Sequence, residues 1–431
     1  MSSAADSEGE WFKTEIIPKL LKNGQLLSDN NESTGVTDNF VIKNLTVQFI
    51  GSQEAFMLTK CYRVRLNYEC EGVDGEINFF VKRTPPIPQF IFDAINFNAL
   101  FSNEQLTYEQ IIPSFENFGK CHLNTAKFYY ADLKPNEAIL VTEDFTSNGW
   151  RVTKDKYNLS LEHTLVAVKY LAQFHAIGFA MLATDKEQFD KITKGLMEPR
   201  YSTDDLDHRW ALTLSCGLER SIIATKKYHK DFPQEFLEKY KNLFKNPQKY
   251  CRDVVQPKEP FVTLCHGDYL RNNVAYKYDT EERPIDIMMF DLQTPRLSSP
   301  MLDFCTFLAL STFYEVRHQH FREIFDCYCN QLKEAYESMS QTKAPEFMSF
   351  DSMLKEYIRF LPYSIFTCSS FLMELVEPHG LSTEEMLNLN PTDEDITHKI
   401  LTKGGEIVDR EFAHQMNAMY ELSTIHKVDL F

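Results

Sequence analysis

The chain has 431 residues, enough for one large two-part enzyme or for two or three domains. Apolar residues make up 43% of it, so a substantial core can form, which argues against disorder over most of the length. With 45 basic and 62 acidic side chains the formal charge is −17, which disfavours general electrostatic binding of DNA or RNA.

The first predicted part is small and rich in strands. Residues 1–38 are a predicted N-terminal extension with a short helix in "EWFKTEIIPKLLKN". A second helix is expected around 94–112 and is predicted to end at Pro113. Alternation of β-forming residues predicts strands at 40–50, 59–69, 76–83, 126–131 and 138–142. Residues 39–142 therefore form a predicted N-terminal lobe.

This part contains one cation and one carboxylate in informative positions. In "INFFVKRTPP", Lys82 shares a strand face with Asn78 and Phe80, from which it could reach into a cleft. Glu104 lies on the apolar face of the following helix, where a carboxylate is costly without a partner. Lys82 is the obvious candidate for that partner, and a lysine in solvent at a strand end is the alternative.

From about residue 159 the pattern becomes helical. Ser160 is a predicted N-cap for the helix that begins "LEHTLVAVKY". Helical patterns return at 204–228, 233–246, 301–340, 350–375 and 404–422. The segment 382–395 is predicted to be a polar loop, and residues 143–431 form a larger predicted C-terminal lobe.

A stretch of β pattern within the helical part carries three side chains with carboxylate or amide oxygens. "NVAYKY" and "IDIMMF" are predicted strands joined by the polar loop "DTEERP". Folding them together about residue 282 brings Asn273 and Asp291 to the same open end, with Asp268 in the loop just before the hairpin. Clustered hard oxygen ligands suit Mg²⁺, which takes its other ligands from water and substrate phosphates. The arrangement is typical of a phosphoryl-transfer site.

The segments "HGDYLRNN" (266–273) and "FDLQ" (290–293) resemble the catalytic and metal-binding motifs of the choline/aminoglycoside phosphotransferase branch of the kinase fold. Within that branch the chain resembles the ecdysteroid-kinase-like family. The resemblance implies an α+β, bilobal protein-kinase-like fold, with a small β-rich nucleotide-binding N-lobe and a larger α-helical C-lobe for catalysis and substrate. It implies Asp268 as catalytic base, with Asn273 and Asp291 as Mg²⁺ ligands. Gln293 stands where protein kinases have the glycine of Asp-Phe-Gly, which argues against a protein kinase of the usual type.

Two further residues belong to the expected catalytic centre. His266 lies in the catalytic segment, where support of the loop by hydrogen bonding is favoured over proton transfer. Asp303 lies at a helix start in "SSPMLDF", so it is either a helix-terminal carboxylate or, as the resemblance implies, a brace for the catalytic loop.

The resemblance also assigns residues to ATP binding. These residues are Lys82, Glu104, Gly51, Ser52, Val141 and Glu143. Lys82 and Glu104 are implied to form the Lys–Glu pair of the kinase fold. Gly51 belongs to the loop expected to cover the phosphates, and that loop lacks the second glycine that is frequent in relatives. Val141 or Leu140 is expected near the adenine ring, in the strand that leads into the interlobe hinge.

We therefore expect an ATP- and Mg²⁺-dependent kinase that transfers the γ-phosphoryl group to a small-molecule alcohol. The expected acceptor is an ecdysteroid or another lipophilic, steroid-like hydroxylated compound, and choline is the competing one. A catalytically weak pseudokinase or lipophile-binding protein stays open because the phosphate loop has so little glycine. A metal hydrolase using His266, Asp268 and Asp291 also stays open, although the Lys82 and Glu104 pattern counts against it.

Cysteine usage and the N-terminus bear on the compartment. The ten cysteines form no CxxC pair and most lie in apolar runs, so buried free thiols in a reducing compartment are expected. The N-terminus, "MSSAADSEGEWFK", lacks the apolar core of a signal peptide. No stretch approaches the roughly 18 uninterrupted apolar residues of a membrane span. We expect a cytoplasmic protein that has no membrane span and does not bind nucleic acid.

Overall fold

The structure, a computed structural model, divides the chain into two units. It describes residues 4–26, 39–50, 59–154, 157–203, 206–378, 381, 385 and 389–431. Unit 1 comprises Met1–Asp93, Thr125–Trp150 and Gly380–Asn388. Unit 2 comprises Ala94–Asn124, Arg151–His379 and Leu389–Phe431. The domain limits expected from the sequence, 1–38, 39–142 and 143–431, stay a prediction.

Unit 1 contains a five-stranded antiparallel sheet. Its strands are β1 (Phe40–Phe49), β2 (Lys60–Cys70), β3 (Val73–Arg83), β4 (Phe128–Asp132) and β5 (Ile139–Glu143), in the spatial order β1-β2-β3-β5-β4. A two-residue turn joins β2 to β3, and both of its residues, Glu71 and Gly72, have positive φ as a tight hairpin turn requires. The five predicted strands are confirmed.

The N-terminal helices cover one face of this sheet. They are α1 (Ala4–Trp11) and α2 (Ile17–Lys22), joined by a π-helical turn over Phe12–Ile16, so the predicted N-terminal helix is confirmed. Phe12, Ile16 and Leu20 are buried in one core cluster with Phe79 and Val81 of β3. The helices therefore supply the apolar layer that the sheet needs on this side.

Lys82 lies on the opposite face of the sheet. Strand alternation separates it from Phe79 and Val81, and its cross-strand partners are Cys61 on β2 and Leu140 on β5. Only 8% of Lys82 is exposed. The sequence prediction that Lys82 shares a strand face with Asn78 and Phe80 is confirmed.

Glu8 on α1 ties the N-terminal helices to the sheet. Its carboxylate lies 2.6 Å from Lys60 Nζ and 2.7 Å from Arg83 Nη1, and it accepts a hydrogen bond from the Tyr62 hydroxyl at 3.1 Å. Burial opposes ionisation of this carboxyl, but the three partners outweigh burial and hold the pKa of Glu8 below its ordinary value. The ion pair therefore stabilises the folded chain when Glu8 is charged.

Replacing Glu8 with glutamine is expected to lower the free energy of unfolding by about 1–3 kcal/mol at pH 7. Because the pKa of Glu8 is lowered on folding, its stabilisation is present above the unfolded value of about 4.3 and is lost as the pH falls through the folded value. Urea denaturation of both proteins at a series of pH values should thus show the difference shrinking in acid. Glu10→Gln, at an exposed position of α1, is the matched control. A difference that grew as the pH fell would contradict the assignment.

Unit 2 is mostly helical. Its helices are α4 (Phe97–Leu106), α5 (Ile112–Gly119), α6 (Leu161–Thr184), α7 (Lys186–Thr193), α8 (His208–Tyr228), α9 (Gln234–Leu243), α10 (Pro247–Val255), α11 (Met301–Ser311), α12 (Tyr314–Gln319), α13 (Phe321–Ser340), α14 (Phe350–Val376), α15 (Asp393–Thr402) and α16 (Gly405–Ile425); α3 (Gln89–Ile95) crosses the unit boundary. Ser160 caps α6, as predicted, by accepting a hydrogen bond from His163 N at 3.4 Å. Helix α6 packs on α13, α11 on α14, and α8 on α16.

Two short sheets complete unit 2 and carry the predicted catalytic segment. They pair β6 (Thr263–Cys265) with β9 (Arg296–Ser298), and β7 (Val274–Tyr278) with β8 (Pro284–Met289). A five-stranded sheet near the N-terminus followed by a mostly helical remainder confirms the α+β class expected from the sequence.

The predicted end of one helix and the predicted extent of one loop were wrong. Pro113 does not end a helix; it lies in the first turn of α5, after a π-helical turn over Thr107–Ile111, where a missing backbone N–H costs little. The segment 382–395 is not entirely loop, because α15 begins at Asp393. Thr392 caps that helix through a reciprocal pair of hydrogen bonds with Asp395.

All ten cysteines lie in the part of the chain that the structure describes, and none forms a disulfide. Among the described helices, α6 is long and apolar enough to cross a membrane by length and composition. However, 72% of its most apolar window is buried inside the protein, as in a core helix.

Candidate active site

The hairpin of β7 and β8 positions both predicted Mg²⁺ ligands, Asn273 and Asp291. Val274 pairs with Met289, and Phe290 N donates to Asn273 O at 3.0 Å, so Asn273 and Asp291 lie at the same open end. The predicted hairpin is confirmed. Its register differs by one residue from a fold about residue 282, because Asn273 lies opposite Phe290 and Asp291 follows.

Asp291 has a left-handed backbone conformation, with φ at 62°. Few residues other than glycine adopt this conformation, and such strain concentrates at functional sites. The side chain is also oriented, because Gln293 Nε2 donates to Asp291 Oδ2 at 3.2 Å.

Asp268 and Asn273 are in direct contact. Asn273 Nδ2 donates to the backbone oxygen of Asp268 at 2.8 Å and to its Oδ2 at 3.3 Å. Because the amide nitrogen of Asn273 faces Asp268, the amide oxygen points away from Asp268. This oxygen is the atom that could bind a cation. The carboxylates and the amide oxygen are hard donors, so the residues present fit Mg²⁺ by ligand type.

His266 joins the catalytic segment to the hairpin. Its Nδ1 accepts from Asp268 N at 3.3 Å and its Nε2 lies 3.0 Å from Phe290 O, an arrangement that assigns the proton to Nε2. The ring is 1% exposed. With both ring nitrogens bonded to backbone atoms, His266 holds Asp268 next to the residue that precedes Asp291, a geometry that favours support of the loop over proton transfer.

Asp303, in the first turn of α11, binds the backbone of the same segment. Its two oxygens accept from His266 N at 2.6 Å and from Gly267 N at 2.8 Å. Of the two readings left open by the sequence, the contacts favour the brace for the loop. Gly267 is required where it stands: its φ is +81°, and a Cβ there would lie 1.9 Å from Thr294 O.

Behind Asp303 lies a fully buried group of potential metal ligands, formed with His175 and Cys265. Both ring nitrogens of His175 already have hydrogen-bond partners within the protein. Nε2 lies 3.1 Å from Asp303, and Nδ1 lies 2.8 Å from the Tyr328 hydroxyl. Burial raises the pKa of the Cys265 thiol well above its ordinary value, so the thiolate that a metal needs is disfavoured. The group supports the loop rather than forming a metal centre.

The residues assigned to ATP binding divide between the units. Gly51 and Ser52 lie outside the described residues. Val141 lies in the unit 1 core, on the face that carries Val81, whereas Leu140 shares the face of Lys82. Of the two candidates for contact with adenine, strand alternation therefore favours Leu140.

The two glutamates assigned to ATP binding lie in different units. Glu143 ends β5 beside Lys127, whose backbone N–H donates to Glu143 Oε2 at 3.3 Å. Glu104 lies in unit 2 and is 3% exposed; its pairing with Lys82 stays a prediction.

One residue of the site was missed from the sequence. Arg200 Nη2 lies 3.2 Å from Asp268 Oδ1, so the proposed base carries an ion pair. Arg200 belongs to the irregular segment between α7 and α8, where a single arginine shows neither periodicity nor spacing that could have singled it out.

Comparisons with known proteins give one informative result. Two solved structures align with the chain: an aminoglycoside 3'-phosphotransferase of type VIII (14% identity, TM-score 0.31, covering 72% of this chain and 93% of that one) and the GDP and kanamycin complex of APH(2'')-IIIa (11% identity, TM-score 0.36, covering 89% and 94%). Neither TM-score reaches 0.5, so these likenesses add nothing. No curated protein matches the chain. The model of the ecdysteroid kinase-like family matches residues 53–341, more than half of the chain. The protein thus belongs to the ecdysteroid kinase-like family.

Proposed function

We propose that the protein is an ATP- and Mg²⁺-dependent kinase that transfers the γ-phosphoryl group to the hydroxyl group of a small molecule. Family membership supports a phosphotransferase that acts on small molecules. The observation that carries the proposal is the catalytic segment itself. Its backbone is fixed by Asp303 and His266, and it presents Asp268 in contact with Asn273.

In this proposal Asp268 orients the acceptor hydroxyl and receives its proton. Asn273 and Asp291 would hold Mg²⁺, which neutralises charge on the nucleotide phosphates when bound. Lys82 is assigned to those phosphates and Glu104 to Lys82, on the resemblance to the kinase fold. Leu140 is preferred to Val141 for contact with the adenine ring because it shares the face of Lys82.

The acceptor is proposed to be a lipophilic alcohol of the ecdysteroid type. Leu270, two residues after Asp268, packs with Tyr157 and Phe371 against one core cluster of unit 2, and all three side chains are only partly buried. Trp210 on α8 adds a 38% exposed ring 5.8 Å from Phe371. Because Leu270 lies in the catalytic segment, the partly exposed apolar side chains that pack against the same core cluster favour a bulky apolar acceptor over choline.

The direct test measures ADP formation from Mg-ATP with hydroxylated sterols, ecdysone and choline, and identifies the product by its mass. The proposal predicts a phosphorylated sterol and turnover that depends on Mg²⁺. Turnover with choline alone would overturn the acceptor class. Binding of a sterol without ADP formation would favour the lipophile-binding alternative, and ATP hydrolysis indifferent to every alcohol would favour the metal hydrolase.

Trp210→Ala is expected to raise the KM for a sterol acceptor by about 10- to 100-fold, because burial of a large apolar side chain is worth about 1.5–3 kcal/mol. The KM for ATP should not change. Ile223→Ala is the matched control, since Ile223 is on the same helix and 51% exposed. Equal effects of the two substitutions on the acceptor KM would remove Trp210 from the proposed acceptor surface.

A further inference from the structure

Arg200 is placed on the proposed base by a dedicated set of contacts. Its guanidinium meets Asp268 Oδ1 at 3.2 Å, while Asn273 Nδ2 donates to the other oxygen, Oδ2, at 3.3 Å. The two charged side chains are 31% and 20% exposed. Burial opposes the charge on Arg200, but Asp268, Tyr201 and Tyr363 together outweigh burial and leave the pKa of the guanidinium raised. Arg200 is therefore a permanent cation at the carboxylate.

The Arg200 segment (residues 196–201) is organised around Glu198. One carboxylate oxygen of Glu198 accepts from Arg200 N at 2.8 Å and from Tyr201 N at 3.0 Å. The other lies 3.0 Å from Nη1 of Arg296, a buried residue of β9 that pairs with Cys265 immediately before the catalytic segment. The Glu198 carboxylate thus links the Arg200 backbone to β9, the strand that pairs with β6.

Two amide side chains fix the ends of the same segment. Asn103 on α4, which is fully buried, exchanges two hydrogen bonds with the backbone of Met197, at 2.8 and 2.9 Å. Its amide nitrogen also lies 3.4 Å from Gln293 O, two residues after Asp291. Gln248 Nε2 donates to Arg200 O at 3.2 Å. A surface loop with an incidental ion pair would not need buried anchors on both sides. These contacts therefore fix the position of Arg200.

The ion pair with Asp268 engages only part of the Arg200 guanidinium, which has five N–H donors. The phosphoryl group offers the cation a competing partner. When the acceptor hydroxyl is hydrogen-bonded to Asp268, the phosphorus that it attacks lies next to the hydroxyl oxygen. A guanidinium in contact with Asp268 is then within reach of the equatorial phosphoryl oxygens, and its planar fork of donors matches them.

We propose, on the basis of the kinase function proposed above, that Arg200 is a catalytic residue that binds the transferring phosphoryl group. The acceptor oxygen forms a bond to the γ-phosphorus as the bond from that phosphorus to the bridging oxygen of ADP breaks. ADP leaves with the electron pair, and the hydroxyl proton passes to Asp268. Arg200 transfers no proton; its charge is shared between Asp268 and the phosphoryl oxygens, whose negative charge it stabilises.

The test compares wild type, Arg200→Ala and Arg200→Lys for the affinity of Mg-ADP with and without aluminium fluoride, which mimics the transferring phosphoryl group. In wild type, fluoride should tighten ADP binding. Arg200→Ala should keep the ADP affinity, lose at least about tenfold of the fluoride-dependent gain, and lower kcat about 100- to 1000-fold. Arg200→Lys keeps the charge without the planar fork and should fall between the two. Methylguanidinium should partly restore Arg200→Ala.

Arg410→Ala, at an exposed ion pair with Glu406 on α16, is the control for loss of a surface arginine. Thermal unfolding of each variant separates a folding defect from a binding defect, and Arg200→Lys carries the test if the alanine variant does not fold. A fluoride-dependent gain that survives in both Arg200 variants overturns the inference and leaves the kinase proposal standing. Absence of Mg-ADP binding in wild type overturns the kinase proposal, and the inference with it.

Discussion

Replacing Asp268 with asparagine is expected to lower the rate of phosphoryl transfer by at least ~100-fold, because the acceptor hydroxyl loses the group that orients it and takes its proton. The substitution keeps the size of the side chain, and Asp268 is partly exposed, so the fold should be retained. Single-turnover measurement of ADP and phosphorylated product from Mg-ATP, with nucleotide affinity measured in parallel, checks this. The affinity for ATP should change much less than the rate.

Two further variants make this result specific. Asp291→Asn should also lose at least ~100-fold in rate, through its proposed role at the nucleotide phosphates. Asp190→Asn, at an exposed i, i+4 pair with Lys186 on α7, should leave the rate unchanged. If Asp268→Asn or Asp291→Asn turned over as fast as wild type, the assignment of the catalytic segment would be wrong.

The hairpin was predictable because its information is local. Two apolar strands joined by a short polar loop can pair in few ways, so the relation between Asn273 and Asp291 followed from counting residues. The one-residue error in register arises because the pairs from Val274–Met289 to Lys277–Asp286 are centred between residues 281 and 282 rather than on residue 282. The face of Lys82 followed from alternation in the same way.

The parts that the sequence did not reveal depend on distant segments. Arg200 meets Asp268 in an irregular segment that Glu198 organises from within and that Asn103 and Gln248 hold from outside, and none of these contacts is periodic. His175 is part of an ordinary helical pattern in α6, so its contact with Asp303 could not be read from its neighbours. Long-range polar contacts of this kind are set by tertiary packing.

Asp303→Ala is expected to lower the free energy of unfolding by about 2–6 kcal/mol. Two backbone donors, the buried His266 N and the partly buried Gly267 N, lose their acceptor, and each unsatisfied group costs about 1–3 kcal/mol. His175 also loses its carboxylate partner. Because these donors belong to the segment that presents Asp268, the rate of phosphoryl transfer should fall as well, even at temperatures where the variant is folded. Urea denaturation and turnover at low temperature measure the two effects.

The size of the effect decides between the two readings of Asp303. A carboxylate that only interacts with the start of a helix contributes about 0.3–1 kcal/mol. Glu323→Gln, in the first turn of α13 and 55% exposed, provides an upper reference within the same chain, because Glu323 also lies 3.2 Å from His320 Nδ1. Asp303→Asn retains one acceptor oxygen in the same place, so it should lie between the alanine variant and wild type in both stability and turnover. If Asp303→Ala lowered the free energy of unfolding no more than Glu323→Gln and left turnover intact, the catalytic segment would not depend on Asp303 for its conformation. The segment would then be held by His266 and Thr294, which also form hydrogen bonds within it.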